Sequence, residues 1–202
     1  YLADSDYVPV PVTGLLDPAY LAERAKLLAG DDALQRRVEK VIRKVLCVRR
    51  DREQTLADVK DMRLRMLQAA GSANHWDIKH VRGGLVEVEF IAQALQLIHA
   101  HDTPEVLHRN TTASLHALHD NGYLTAADHD GLVGAATLYE SLIHMLRLCS
   151  SGRFELESAP SGLITLLLRA SAAPDTATME AMLIDANRQV SGIFDRLISE
   201  PA

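Results

Sequence analysis

The chain has 202 residues, of which 48% are hydrophobic, 4% aromatic and 24% charged, with a formal net charge of −6. These proportions suit a globular protein with material for one substantial domain or two small ones, and they exclude a fibrous or low-complexity chain. No apolar run approaches the roughly 20 residues of a membrane-spanning helix, and the N-terminus lacks the basic-then-apolar order of a signal peptide.

Residues 1–16 contain Pro9, Pro11 and Gly14, so they are expected to form an extended arm that connects to something else. Asp17 and Pro18 then open a short helix running to about Leu28 and stopped by Gly30. Asp31 or Asp32 caps the next helix, where Leu34, Val38, Val41, Ile42, Val45 and Leu46 recur at helical spacing. Asp51 opens a third, carrying Leu56, Val59, Met62 or Arg63, Met66 and Ala70 up to Gly71. Residues 71–82 lack a helical pattern, and Trp76 with Ile78 suggests an extended segment pinned to the core.

A long central helix is expected from Gly83 or Gly84 to about Ala100, burying Leu85, Val88, Ile91, Ala92, Leu95 and Ile98, with Val86 and Phe90 widening its apolar face. A helical turn follows Pro104, Asn110 caps a helix to about Asp120, and Thr125 with Asp128 resembles a capping box. That box opens a long helix through Leu132, Leu142 and Cys149. Ser158 and Pro160 open an apolar helix, and Pro174 separates it from a last one over about 177–199. The sum is an all-α chain of seven or eight helices packed as an antiparallel bundle over residues 17–202, in which two lobes would divide near 100–110.

Aromatic residues are scarce and Leu and Ala abundant, so packing rests on aliphatic side chains carried by strong helix formers. Cys47 and Cys149 lie in separate helical patterns and read as reduced thiols of a cytoplasmic protein. Charge is uneven: residues 36–65 hold 11 basic and 5 acidic side chains, a run suited to phosphate, to an acidic partner or to a solvated helix face. Nucleic acid is a poor fit, because the whole chain is acidic and no aromatics interleave with that run.

The chemistry concentrates in residues 76–93, WDIKHVRGGLVEVEFIAQ. A helix starting at the glycines would present the amides of Gly83, Gly84 and Leu85 to an anion, with Lys79 and Arg82 beside them. A tight turn with Arg82 paired to a buried carboxylate accounts for the same residues. Glu87 and Glu89 cannot act as one carboxylate pair, since side chains two apart on a helix diverge. One is expected to bond a basic residue in the core and the other to face outward or toward a partner domain. Elsewhere, Glu105 and His108 have the spacing of a bundle metal site but lack its second copy, and His116 with His119 and Glu140 with His144 read as ordinary edge histidines. Asp4 and Asp6 lack the Gly-rich turn that catalytic magnesium-binding acids need, and no Walker loop, dinucleotide fingerprint or nucleophile motif occurs. No metal site is expected.

The order K-x-x-R-G-G, two apolar residues, an acid, then E-F-x-x-Q closely resembles the helical region of the glutamine synthetase adenylyltransferases, here as Lys79, Arg82, Gly83, Gly84, Glu87, Glu89, Phe90 and Gln93. Glu87 stands where that family usually has Asp. The segments AERAKLLAGD and DVKDMRLRM extend the resemblance over residues 17–200. It implies the C-terminal helical portion of an enzyme that adds AMP to, and removes it from, a tyrosine of glutamine synthetase with ATP and magnesium, under control of glutamine and the PII protein. The nucleotidyltransferase domain carrying the catalytic acids is missing from this chain, so residues 1–16 would be its linker, and the chain itself would bind no cofactor and be inactive. The sequence around Asp61 imitates a segment of that domain but lies mid-helix, with Met66 where Pro belongs. Lys79, Arg82, Gly83 and Gly84 would then contact phosphate or the missing domain, and Glu87, Glu89, Phe90 and Gln93 would be structural or interface residues. A helical region of a PII uridylyltransferase and a stand-alone interaction module remain the alternatives.

Overall fold

The computed structural model describes residues 32–70, 74–149 and 154–199. The arm expected over 1–16 and the helix expected over 17–28 lie outside the described residues. Within them the chain forms seven α-helices and no strand: α1 (Asp32–Leu46), α2 (Arg52–Ala70), α3 (Leu85–His99), α4 (Thr111–Asp120), α5 (Ala126–Cys149), α6 (Ser161–Ser171) and α7 (Thr176–Phe194). The all-α architecture follows from aliphatic residues at helical spacing and from caps at the expected places. Asp51 accepts the Gln54 amide at 2.8 Å, Asn110 that of Ala113 at 2.8 Å, and Thr125 Oγ1 that of Asp128 at 3.1 Å. Asp175 caps α7 by accepting the Thr178 amide at 2.7 Å, and that backbone hydrogen bond holds its carboxyl below the ordinary value.

The central helix is α3, which packs against α2, α4, α5 and α7. Val88, Ile91, Ala94 and Leu95 on it are at most 2% exposed, each large aliphatic side chain gaining about 1.5–3 kcal/mol from burial. Ala92, Ala94 and Ala100 let the neighbouring helices approach closely. Core residues from both sides of 100–110 belong to one cluster, from Leu56 through Tyr139 to Ile198. Helix α1 is attached differently: Ile42, Val45 and Leu46 meet Leu97 and Leu107 in a small separate cluster, while Leu34 and Val41 stay exposed.

Two segments depart from expectation. Residues 74–84 are a chain of tight turns, not an extended strap: Asp77 donates to Asn74 O at 3.0 Å, and His80 and Val81 donate to Asp77 O at 3.0 and 2.9 Å. Trp76 still anchors the segment, edge-on to Phe154 with ring centroids 4.7 Å apart and its indole N–H reaching Glu180 at 3.2 Å. The last helix ends at Phe194, and a π-helical turn over Asp195–Ser199 follows. Its wider backbone carries Asp195 to Arg82 and Arg196 to Asp128.

Candidate functional site

The turn region from Ile78 to Gly84 is shaped by what it packs against. Ile78 and Val81 point inward at 2% and 8% exposure, leaving Lys79 exposed between them. Gly83 adopts φ +77°, and a Cβ there would lie 1.8 Å from the Asn187 carbonyl oxygen of α7. A Cβ on Gly84 would lie 2.4 Å from the Ile78 carbonyl oxygen. Both glycines are therefore demanded by close backbone approach. The Tyr139 hydroxyl of α5 closes the assembly, 2.9 Å from Gly83 O and 2.8 Å from Asn187 Oδ1, sharing its one proton between two acceptors. Burial first, and the nearby Glu87 charge second, push the Tyr139 pKa well above its ordinary value, so the phenol stays a neutral donor.

The amides at the start of α3 point back into the turn. Gly84 donates to Val81 O at 2.9 Å, Leu85 to Ile78 O at 3.0 Å and Val86 to Lys79 O at 3.1 Å. This corrects the expectation that the Gly84 and Leu85 amides are open to an anion: the preceding turn satisfies them internally, because its carbonyls fold under the helix end.

The other expectation, a tight turn with Arg82 paired to a buried carboxylate, is what forms here, as part of an arginine–carboxylate network. Glu87 is fully buried on α3, and Arg63, 2% exposed on α2, donates from Nε to its Oε1 at 2.9 Å. Arg63 Nη2 also donates to the carbonyls of His80 and Val81 at 3.0 and 2.9 Å, tying α2 to the turn. Arg82 Nη1 lies 2.5 Å from Glu87 Oε2 as an ion pair outside good hydrogen-bond direction, its Nη2 pairs with Asp195, and its guanidinium sits 5.3 Å from the Phe194 ring centre. Burial disfavours the Arg82 cation, but the carboxylates of Glu87 and Asp195 outweigh that and raise its pKa. Arg82, with its side chain 39% exposed, is where this buried network reaches the surface.

The structure thus brings together Arg82, Gly83, Gly84 and Glu87. Phe90 packs into the core, and Glu89 and Gln93 lie half-buried on another face of α3. Asp195 was not singled out by sequence, and Arg63 was named only as an alternative to Met62 on the stripe of α2, not as the partner of Glu87. Its place seven residues after Leu56 and four after Val59 is the signal that marks Arg63 as the core partner. Glu105 falls in a three-residue 3-10 turn with His108 beyond it, so their spacing is not helical, and no metal-competent group of three or more His, Cys, Asp or Glu exists among the described residues.

Comparison with known proteins bears on what this geometry serves. Residues 54–198 match a family model described as GlnD PII-uridylyltransferase. The chain belongs to that family. Its similar relatives include proteins named as adenylyltransferases. The chain is 39% identical over 175 residues to a bifunctional glutamine synthetase adenylyltransferase/adenylyl-removing enzyme of Rhodopseudomonas palustris, a match covering 87% of this chain and 18% of that protein. It is 37% identical to the Bradyrhizobium diazoefficiens protein of the same name over 87% of this chain and 18% of that one. For the Xanthobacter autotrophicus protein of that name the figures are 34%, 89% and 18%. The resemblance carried by the Lys79–Gln93 motif is therefore to adenylyltransferases over most of the chain, and the chain spans about a fifth of the length of these relatives. No helix among the described residues is long and apolar enough to cross a membrane.

Proposed function

We propose that this family member is a helical module of a bifunctional glutamine synthetase adenylyltransferase/adenylyl-removing enzyme. In that reading it supports ATP- and magnesium-dependent transfer of AMP to a tyrosine of glutamine synthetase in the cytoplasm, under control of PII, and is inactive by itself. The observation that carries the reading is the identity to those relatives over 87% of the chain. The residues that would meet the nucleotidyltransferase domain or the nucleotide phosphates are Lys79 and Arg82, with Gly83 and Gly84 shaping the turn that presents them. A guanidinium held at the surface by buried Glu87 is preorganised for a carboxylate or phosphate, since little side-chain entropy remains to be lost.

The test uses the full-length enzyme. Lys79→Ala touches an exposed side chain and Arg82→Lys keeps the charge while removing the planar fork; each should lower adenylylation about tenfold or more, with the unfolding midpoint moved far less. Loss of activity only in step with loss of stability would leave the turn a purely structural element. The family model's description favours a second reading, transfer of UMP to PII. Assaying the full-length protein with ATP and glutamine synthetase against UTP and PII separates the two.

A further inference from the structure

Helix α1 carries a second surface that the reading above does not use. Its body-facing side is Ile42 and Leu46, which meet Leu97 and Leu107. About a quarter-turn round the helix, Leu34 and Val41 are 48% and 61% exposed, and Val48 just past the helix end is 55% exposed. These three recur every seven residues, while Val38 and Val45, half-buried, lie between them and the body. The alternation of four and three along Leu34, Val38, Val41, Val45 and Val48 is the spacing of a helix–helix seam, and a valine-rich seam packs a partner helix through interlocking side chains.

The flanks give the partner's charge. Arg37 and Lys44 border the open side of the stripe, Arg36, Lys40 and Arg43 occupy the rest of the exposed surface, and α1 holds only Asp32 and Glu39 in opposition. Among the described residues Glu39 has one ion-pair neighbour, Arg109 at 3.9 Å, and no acid pairs with Arg37 or Lys44. An apolar stripe bordered by cations that no acid among the described residues neutralises repels a second copy of itself and selects a helix with acidic flanks.

We infer that α1 is a docking surface for an acidic amphipathic helix of a partner protein, seated along Leu34, Val38 and Val41 with its carboxylates against Arg37 and Lys44. The probe is a synthetic helix with a leucine seam and glutamate flanks, labelled for fluorescence anisotropy, beside a matched peptide with lysine flanks. The acidic peptide should bind with strong salt dependence and the basic one at least about tenfold more weakly. Val41→Glu, on an exposed position where folding should persist, should weaken the acidic peptide about tenfold or more. The double variant Arg37→Glu, Lys44→Glu should invert the preference to the lysine peptide. Circular dichroism of each variant checks that the fold is kept. The inference is overturned by equal binding of both peptides, by no binding, by binding indifferent to Val41→Glu, by concentration-dependent self-association through α1 that Val41→Glu abolishes, or by α1-dependent binding to vesicles of anionic phospholipid in preference to the acidic peptide.

Discussion

At the scale of single residues, the decisive feature is one fully buried carboxylate shared by two arginines. Removing the charge of Glu87 leaves Arg63, 2% exposed, without compensation, so Glu87→Gln should cost about 3–5 kcal/mol in urea unfolding. The double change Arg63→Met, Glu87→Leu should recover much of that loss, because well-packed apolar groups replace the pair. Half of this was visible in the sequence: helix geometry separated Glu87 from Glu89 and required a core partner for one of them. Arg63 as that partner was not: it stood only as an alternative to Met62 on the Leu56 stripe, within a run of basic residues that reads as a solvated face. A second residue sets a pH dependence. His99 stacks on Tyr123 at 3.7 Å, and burial first, then the charge of Arg52, lower its pKa below the ordinary 6.5 against the opposing pull of Asp102. The unfolded chain then takes the proton more readily, so this contribution to stability is complete above about pH 6.5 and declines as pH falls toward the folded value. His99→Gln should flatten the fall in urea midpoint between about pH 7 and 5.

At the scale of elements, caps and periodicity were legible because they are local: Asp51, Asn110 and Thr125 each cap as their position implied. The turn before α3 was legible only in part: its glycines and the Arg82–carboxylate pair could be read, but its packing on α7 and α5 could not. The same glycine signal has two different meanings in this chain, and substitution distinguishes them. Gly122 has φ +78°, and a Cβ there would have no heavy atom within 4 Å, so Gly122→Ala should cost only the strain of a left-handed residue, about 1–2 kcal/mol. Gly83 has nearly the same φ, but its methyl would meet the Asn187 backbone at 1.8 Å. Gly83→Ala should therefore displace α7, lose the Tyr139 hydrogen bonds and unfold at a markedly lower temperature than Gly122→Ala. A comparable loss for both would mean that backbone conformation alone, and not contact with α7, accounts for the glycine.

For the whole molecule, the partition of the core decides which parts move together. Helices α2 to α7 share one continuous cluster around α3, whereas α1 is joined by Leu46 against Leu97 with Ile42, Val45 and Leu107 at the margin. The sequence pattern could not show this, because the stripe of α1 is as regular as that of α2 and periodicity does not reveal how deeply a stripe is buried. Held by so few apolar contacts among the described residues, this helix should open without the rest, at a free energy well below that of global unfolding. Amide hydrogen exchange should thus be at least about a hundredfold faster along α1 than over Val88 to Leu95 of α3. Binding of an acidic amphipathic helix to the exposed stripe would slow exchange in α1 while leaving α3 unchanged, because a ligand stabilises only the opening that it blocks. Uniform protection across α1 and α3 in the free chain would instead show that α1 unfolds only with the bundle.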